Sequence, residues 1–217
     1  MNNQLLIISS LFIPIFGIIF ILFFKKHSNL REVSTLITSV ALIYCIYSLL
    51  PQVLDGLRPE LELLRITNNL ILHFHVEPLG MLFACIASFL WLINSIYSIG
   101  YMRANNEKNQ TRFYVFFALA IASTIGIAFS ANLFTLFIFY EFLTLSTYPL
   151  VTHKGSEKVK RAGRVYLGVL LTTSICLFLP AIIWTYSLTG SIEFTNNGIF
   201  NRSHQPLIIV SLLLIFA

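Results

Sequence analysis

Charge is scarce in this sequence. Only 11% of its 217 residues are Asp, Glu, Lys or Arg, whereas 57% are hydrophobic, and the mean hydropathy is +0.81. A soluble domain carries about a quarter charged residues, so these few charges cannot cover a water-facing globule. Most of the surface must therefore face lipid or other apolar protein. The composition predicts an all-α fold, a polytopic bundle of transmembrane helices.

Several kinds of chemical site are missing as well. The three cysteines lie singly in apolar runs, with no Cys-x-x-Cys pair and no Cys/His cluster to support zinc or a disulfide framework. No nucleotide-binding fingerprint, Walker A loop or Ser/His/Asp set is visible. We therefore expect no cofactor and no catalytic redox residue. The net charge of +5 lies in short loops, where membrane topology explains it better than nucleic-acid binding does.

Long apolar runs, in contrast, are abundant. A helix needs about twenty apolar residues to cross ~30 Å of hydrocarbon. The chain is predicted to be one transmembrane domain, 1–217, with six spans and an incomplete seventh: 5–24, 33–50, 79–102, 113–129, 132–152, 165–188 and 206–217. No basic residue precedes the first run, so it is predicted to be an uncleaved span rather than a signal peptide, with the N-terminus outside.

One carboxylate stands inside these runs. Glu141 lies near the middle of the predicted fifth helix, where a charged side chain costs on the order of 3 kcal/mol on insertion scales. With 100° per residue, Thr144, Tyr148 and Thr152 follow it along one face. Intramembrane charges usually mark ion or proton pathways, so Glu141, Thr144 and Tyr148 are the candidate proton-transfer residues. The alternative is a protonated glutamate that only packs against a neighbouring helix.

Other patterns favour architecture over chemistry. Small residues recur every fourth position along the fourth helix, which predicts a close helix–helix approach: Ala118, Ala122, Gly126 and Ser130. Pro149 and Pro180 each remove a backbone donor, and kinked packing is the favoured explanation.

His73 and His75 alternate with apolar residues in the long outer loop, which predicts a short hairpin. A metal site there with Glu77 is a weaker alternative to a solvated strand face.

A series of motifs in order resembles a known family. The motifs are VEPLG at 76–80, IYSIGYM at 96–102, RFY at 112–114, SANL at 130–133, FYE at 139–141 and RAGRVYL at 161–167. Together they resemble the antiporter-like proton-translocating subunits of complex I (subunits L, M and N), of membrane-bound hydrogenases and of Mrp-type cation/proton antiporters (the D subunit). Three departures are mild: Glu77–Pro78 stands where an acidic–Gly pair is usual, Tyr140 where tryptophan often precedes the glutamate, and Thr173–Ser174 where Gly–Ser is common. The serious departure is length.

The resemblance implies a fold and a role. Family members have about fourteen helices, including two inverted five-helix repeats, and a fifth-helix glutamate that pairs with a seventh-helix lysine. Glu141 falls at the glutamate position. Since the sequence ends within the predicted seventh helix, we expect it to be the N-terminal part of such a subunit, from a truncated or split gene or a partial chain.

The expected function follows from that resemblance. It is proton, or cation and proton, translocation within a multisubunit NADH dehydrogenase or Mrp-type complex, whose other membrane subunits and lipid are the partners. In the first case the chain is a non-redox translocase subunit of an NADH:quinone oxidoreductase. The expected location is a bacterial plasma (inner) membrane or, alternatively, the mitochondrial inner membrane. The rivals are a non-conducting structural or assembly role and an unrelated small-solute carrier.

The basic residues predict the orientation of the chain. Eleven of them follow the first, third and fifth spans, whereas only Arg58, Arg65 and Arg202 follow the second, fourth and sixth. Cytoplasmic loops carry the excess of Lys and Arg, so a reporter fused within 153–164 should be active in the cytoplasm and one within 51–77 outside. The reverse result, measured with reporter fusions or cysteine labelling, would overturn this topology.

Overall fold

Within the residues that the structure describes, six helices are long and apolar enough to cross a membrane, and they make up most of the chain. The structure, a computed structural model, describes residues 3–67, 70–195, 198–200 and 210–211. The first five spans are helices α1 (Asn3–Phe23), α2 (Ser28–Leu54), α3 (Pro78–Ala104), α4 (Gln110–Ala128) and α5 (Leu133–Val151). The sixth comprises α6 (Glu157–Thr173), a π-helical turn (Ser174–Phe178) and α7 (Leu179–Thr189). The six predicted spans are thus confirmed. The predicted seventh lies outside the described residues except for 210–211, which are helical.

The start of the second span was predicted wrongly. The apolar run begins at Val33, but α2 begins five residues earlier, at Ser28. Arg31, predicted to lie in the loop after the first span, and its neighbour Glu32 therefore lie in the first turns of the helix and are buried. Their charges are satisfied by residues that come from another part of the chain.

Neighbouring helices pack in a simple pattern. Helix α1 packs against α2 and α4, α2 against α3, α4 against α5, and α5 against α6. The hydrophobic core includes Leu6, Leu42, Ile46 and Trp91, all at most 1% exposed. The opposite sides of α1 and α3 expose large apolar side chains, as expected for surfaces that meet lipid or other membrane protein.

The small-residue stripe on α4 brings α5 close, as predicted. Ala118, Ala122 and Gly126 are buried, and a Cβ atom added at Gly126 would overlap the Phe139 ring of α5. Phe139 in turn meets Phe74 edge to face, with ring centroids 5.5 Å apart. The tight connection predicted between the fourth and fifth spans is also present, since α4 ends at Ala128 and α5 begins at Leu133.

The outer hairpin predicted from the His73–His75 alternation is confirmed. Strands β1 (Glu60–Thr67) and β2 (Leu70–His75) are antiparallel. Strand β2 also pairs with the α4–α5 connection: the His75 amide donates to the Phe129 carbonyl (2.7 Å) and the Ala131 amide to the His73 carbonyl (3.0 Å). That connection then bonds the segment after α7, where the Phe194 amide donates to the Ala131 carbonyl (2.9 Å). Three separate stretches thus close one end of the bundle.

The π-helical turn accompanies Pro180. A proline has no amide hydrogen, so the Cys176 carbonyl loses its helical partner. Just before the proline, the Leu179 amide donates to the Ser174 carbonyl, five residues back, which is the π-helical pattern. The irregularity expected at Pro180 is therefore one widened turn.

A methyl group at Gly126 tests the packing of α4 on α5. Gly126→Ala should destabilise the fold by about 1–3 kcal/mol, because Phe139 cannot yield without losing its Phe74 contact. Gly100→Ala is the control, since no atom lies within 4 Å of its added Cβ, and it should be neutral or slightly stabilising. Thermal unfolding in detergent measures both; equal stability of the two variants would contradict the packing described.

Candidate functional site

Glu141 lies in an uninterrupted helix, close to its middle. The Asn132 side chain begins α5 by accepting a hydrogen bond from the Thr135 amide (2.7 Å), which satisfies one of the free amides at the helix start. Eight residues into the helix, about 12 Å along its axis, Glu141 is half-buried. Its Oε1 atom is enclosed and has no hydrogen-bond partner among the described residues. The helix therefore presents a carboxylate with unused bonding capacity.

Thr144 and Tyr148 follow Glu141 toward the α5–α6 connection. Thr144 is 5% exposed, and Tyr148 is half-buried against α6. A Cβ added at Gly163 of α6 would lie 3.2 Å from the Tyr148 ring and would overlap the Thr152 methyl. Tyr148 and Thr152, which end the predicted face of α5 that begins at Glu141, thus lie at the α5–α6 interface. No hydrogen bond joins Glu141 to Thr144 or Tyr148 in the part of the chain that the structure describes.

The π-helical turn packs beside the same level of α5. The Phe178 ring, at the end of that turn, meets Phe137 and Tyr140 edge to face, with centroids 5.7 and 5.9 Å apart. Tyr140 is the residue before Glu141. The backbone irregularity at Ser174–Phe178 therefore lies next to the helical turn that carries the carboxylate.

A cavity of about 320 Å³ lies at the end of α5 nearest the basic loops, and Glu107, Phe113, His153 and Lys154 are among its lining residues. Arg112 donates to the His153 carbonyl (3.1 Å) and neutralises the end of the helix. Both ring nitrogens of His153 are enclosed and have no partner among the described residues. Burial, and secondly the nearby Arg112 charge, lower the pKa of His153, while Glu107 opposes the shift.

A buried ionic cluster on this face was not predicted. Glu32, 3% exposed, forms a two-bond ion pair with Arg103 at the end of α3. Arg31 donates to the Gln110 side chain (2.5 Å) and to Thr111 (3.2 Å), at the start of α4. The cluster therefore ties α2, α3 and α4 together. The sequence signal for it is the adjacent Arg31–Glu32 pair at the edge of an apolar run.

A second polar cluster lies at the opposite end. The His73 ring lies between two carboxylates, 3.4 Å from Glu60 and 3.3 Å from Glu193. Asn132 donates to Glu193 as well (3.0 Å). The two carboxylates meet opposite nitrogens of the ring, and no group of three metal-binding side chains is found within the described ranges. The weaker metal alternative at His73, His75 and Glu77 thus gains no support, and Glu193 is the member that the sequence did not point to.

The comparisons with known proteins agree with the architecture. The family described as NADH:quinone oxidoreductase/Mrp antiporter, TM matches residues 130–217. The chain is 28% identical over 199 residues to the D subunit of the Na(+)/H(+) antiporter of Alkalihalophilus pseudofirmus, covering 90% of this chain and 39% of that protein. It is 27% identical over 144 residues to the NADH-quinone oxidoreductase subunit N of Desulforudis audaxviator, covering 65% and 28%.

Solved structures show the same fold. The Mrp complex from Dietzia sp. superposes with a TM-score of 0.72 at 19% identity, covering 88% of this chain and 35% of the other. The membrane-bound sulfane sulfur reductase, an archaeal respiratory membrane complex, superposes with a TM-score of 0.71 at 18% identity, covering 85% and 28%. The chain spans between about a quarter and two fifths of the length of the curated relatives it matches.

The environment of His153 makes stability depend on pH. Its pKa in the folded chain lies below the ordinary 6.5, so the unfolded chain binds the proton more readily, and stability present above pH 6.5 is lost as the pH falls through the folded value. On going from about pH 7.5 to about pH 5, the unfolding temperature of the native chain should fall more than that of His153→Gln. His27→Gln, which removes an exposed histidine, is the control and should behave like the native chain.

Proposed function

Since the chain is related to the antiporter-like membrane subunits of complex I and Mrp antiporters, we propose that it takes part in moving protons, or cations and protons together, across a membrane. It would do so as one subunit of a larger membrane assembly. The relatives are named as subunits of an Na(+)/H(+) antiporter and of an NADH-quinone oxidoreductase, and the assembly of this chain would be of one of these two kinds. A bacterial plasma membrane is the location we favour.

The observation that carries the proposal is the carboxylate oxygen of Glu141 in the middle of α5, which is enclosed and has no hydrogen-bond partner among the described residues. A carboxyl group in hydrocarbon is tolerated when neutral, and its ionised form requires a nearby cation or water. A group that alternates between these states takes up a proton in one and releases it in the other. In the related family the cation is a lysine of the seventh transmembrane span. We assign the same role here to a basic group outside the six described spans.

The residues that follow Glu141 along α5 supply groups for a proton route. Hydroxyls donate and accept hydrogen bonds, so Thr144 and Tyr148 can order water between α5 and α6. About 10 Å of helix axis separates Glu141 from Tyr148, which leaves room for several bridging waters. In this proposal protons enter from the face that carries the basic loops, and the cavity at His153 lies on that face.

Energy for directed movement has to come from elsewhere in the assembly. Moving one charge through 100 mV requires about 2.3 kcal/mol, which a single carboxylate cannot supply. In an oxidoreductase the source is electron transfer in other subunits, and in an antiporter it is the opposing cation gradient. The chain would then conduct protons, and other parts of the assembly would supply the energy.

Replacing Glu141 tests this role. Glu141→Gln keeps the shape and removes the titrating group, so proton flux in membrane vesicles containing the assembly should fall at least tenfold. Glu141→Asp should keep part of the flux. Glu62→Gln, which changes an exposed carboxylate of β1, is the matched control and should leave the flux unchanged.

The same variants distinguish conduction from a structural or assembly role. Under our proposal Glu141→Gln reaches the normal protein level and assembles with its partners, yet conducts poorly. Normal flux in Glu141→Gln, together with loss of the assembly when the chain is deleted, would instead show a scaffold. Flux of a small solute that is insensitive to Glu141 would show a carrier.

A further inference from the structure

A groove between α1 and α2 opens on the outside of the bundle. Its volume is about 400 Å³, and its lining is almost wholly apolar: Ile13, Phe16, Gly17, Phe20, Phe24, Ser34, Ile37, Thr38 and Ala41. The two polar lining residues do not change this character, because the Ser34 and Thr38 hydroxyls donate to the carbonyls of Leu30 and Ser34 in their own helix. An occupant therefore meets carbon and no free polar group.

The length and depth of the groove match one leaflet of a bilayer. From Ile13 to Phe24 the α1 axis advances about 16 Å, and half of a ~30 Å hydrocarbon core is about 15 Å. Helix α1 spans Asn3–Phe23, so the groove runs from the middle of the helix to the end that is followed by Lys25 and Lys26. Its floor is the close approach of Gly17 to Thr38, where an added Cβ would lie 2.5 Å from the threonine.

The groove is narrow. A volume of about 400 Å³ spread over about 16 Å gives a mean cross-section on the order of 25 Å², whereas a helix about 10 Å wide covers roughly 80 Å². A hydrocarbon chain fits this width, whereas a transmembrane helix of another subunit would cover the groove rather than fill it.

The segment that follows the groove along the chain is basic. Directly after Phe24 come the exposed Lys25 and Lys26, and a second, polar cavity of about 480 Å³ is lined by Lys26, His27, Ser28, Asn29 and Leu30. Glu32, the nearest acidic residue in the sequence, is buried in its pair with Arg103. A negatively charged group at the interface thus meets two lysines and no exposed carboxylate from this loop.

We propose that this groove binds one anionic phospholipid, with an acyl chain along α1 and α2 and its headgroup at Lys25 and Lys26. The apolar channel accounts for the chain, its length for the single leaflet, and the lysines for the charge of the headgroup. The lipid would fill the outer side of the α1–α2 pair.

Lipid retention by the purified full-length chain tests the site. In native mass spectrometry, the chain titrated with phosphatidylglycerol should retain one molecule more tightly than it retains phosphatidylcholine. Lys25→Gln/Lys26→Gln should weaken that binding roughly 10- to 30-fold. Ala41→Phe, which fills the groove, should abolish the selective site. Lys154→Gln/Lys158→Gln removes the same charge from the α5–α6 connection and the first turn of α6, and this variant should bind like the native chain.

Two outcomes of the lipid-retention experiment would overturn the proposal. Equal retention of the two lipids, or equal weakening by the two lysine pairs, would reduce the effect to general surface charge and overturn the proposal. A photoreactive residue in place of the exposed Ile37 supplies the check in membranes, where an adduct to lipid is expected. An adduct to a polypeptide would show that another subunit covers the groove instead.

Discussion

The structure depends on one constraint, that backbone amides and carbonyls within a membrane must be bonded inside the protein. The six spans meet it as helices, whereas the short α4–α5 connection is not helical and needs partners from elsewhere in the chain. Strand β2 and the segment at Phe194 supply the missing partners through the bonds at His75, Ala131 and Phe194. At Pro180, which has no amide hydrogen to donate, the helix widens into one π-helical turn. Both departures from regular α-helix thus lie where a helical backbone hydrogen bond is missing.

Buried charge is arranged differently at different depths. Near the basic loops, Glu32 is neutralised by Arg103, and breaking such a pair would leave an uncompensated charge, so this cluster serves the fold. Near mid-membrane, Glu141 has an enclosed oxygen with no partner in the described ranges. An acid that is paired for stability is held in one state, whereas an acid that lacks a partner is able to change state.

The sequence predicted those features whose cause is local. Apolar run length gave the six spans, and alternation at His73–His75 gave the hairpin. The start of α2 was missed because Arg31 and Glu32 are stabilised by α3 and α4, up to 80 positions away in the chain. Glu193 was missed for the same reason, since it meets His73 from 120 residues away. The Glu141 stripe follows from helical spacing, but its role needs a proton path that spacing alone does not contain.

The position of Phe139 has a consequence for membranes of different thickness. Its ring is held between Gly126 and Phe74, two residues before Glu141, and Phe74 belongs to the hairpin that closes the end of the bundle. Protein contacts therefore fix the distance between the hairpin and the Glu141 carboxylate. A thinner or thicker bilayer changes the tilt of helices that face lipid, while the distance from the hairpin to Glu141 stays constant.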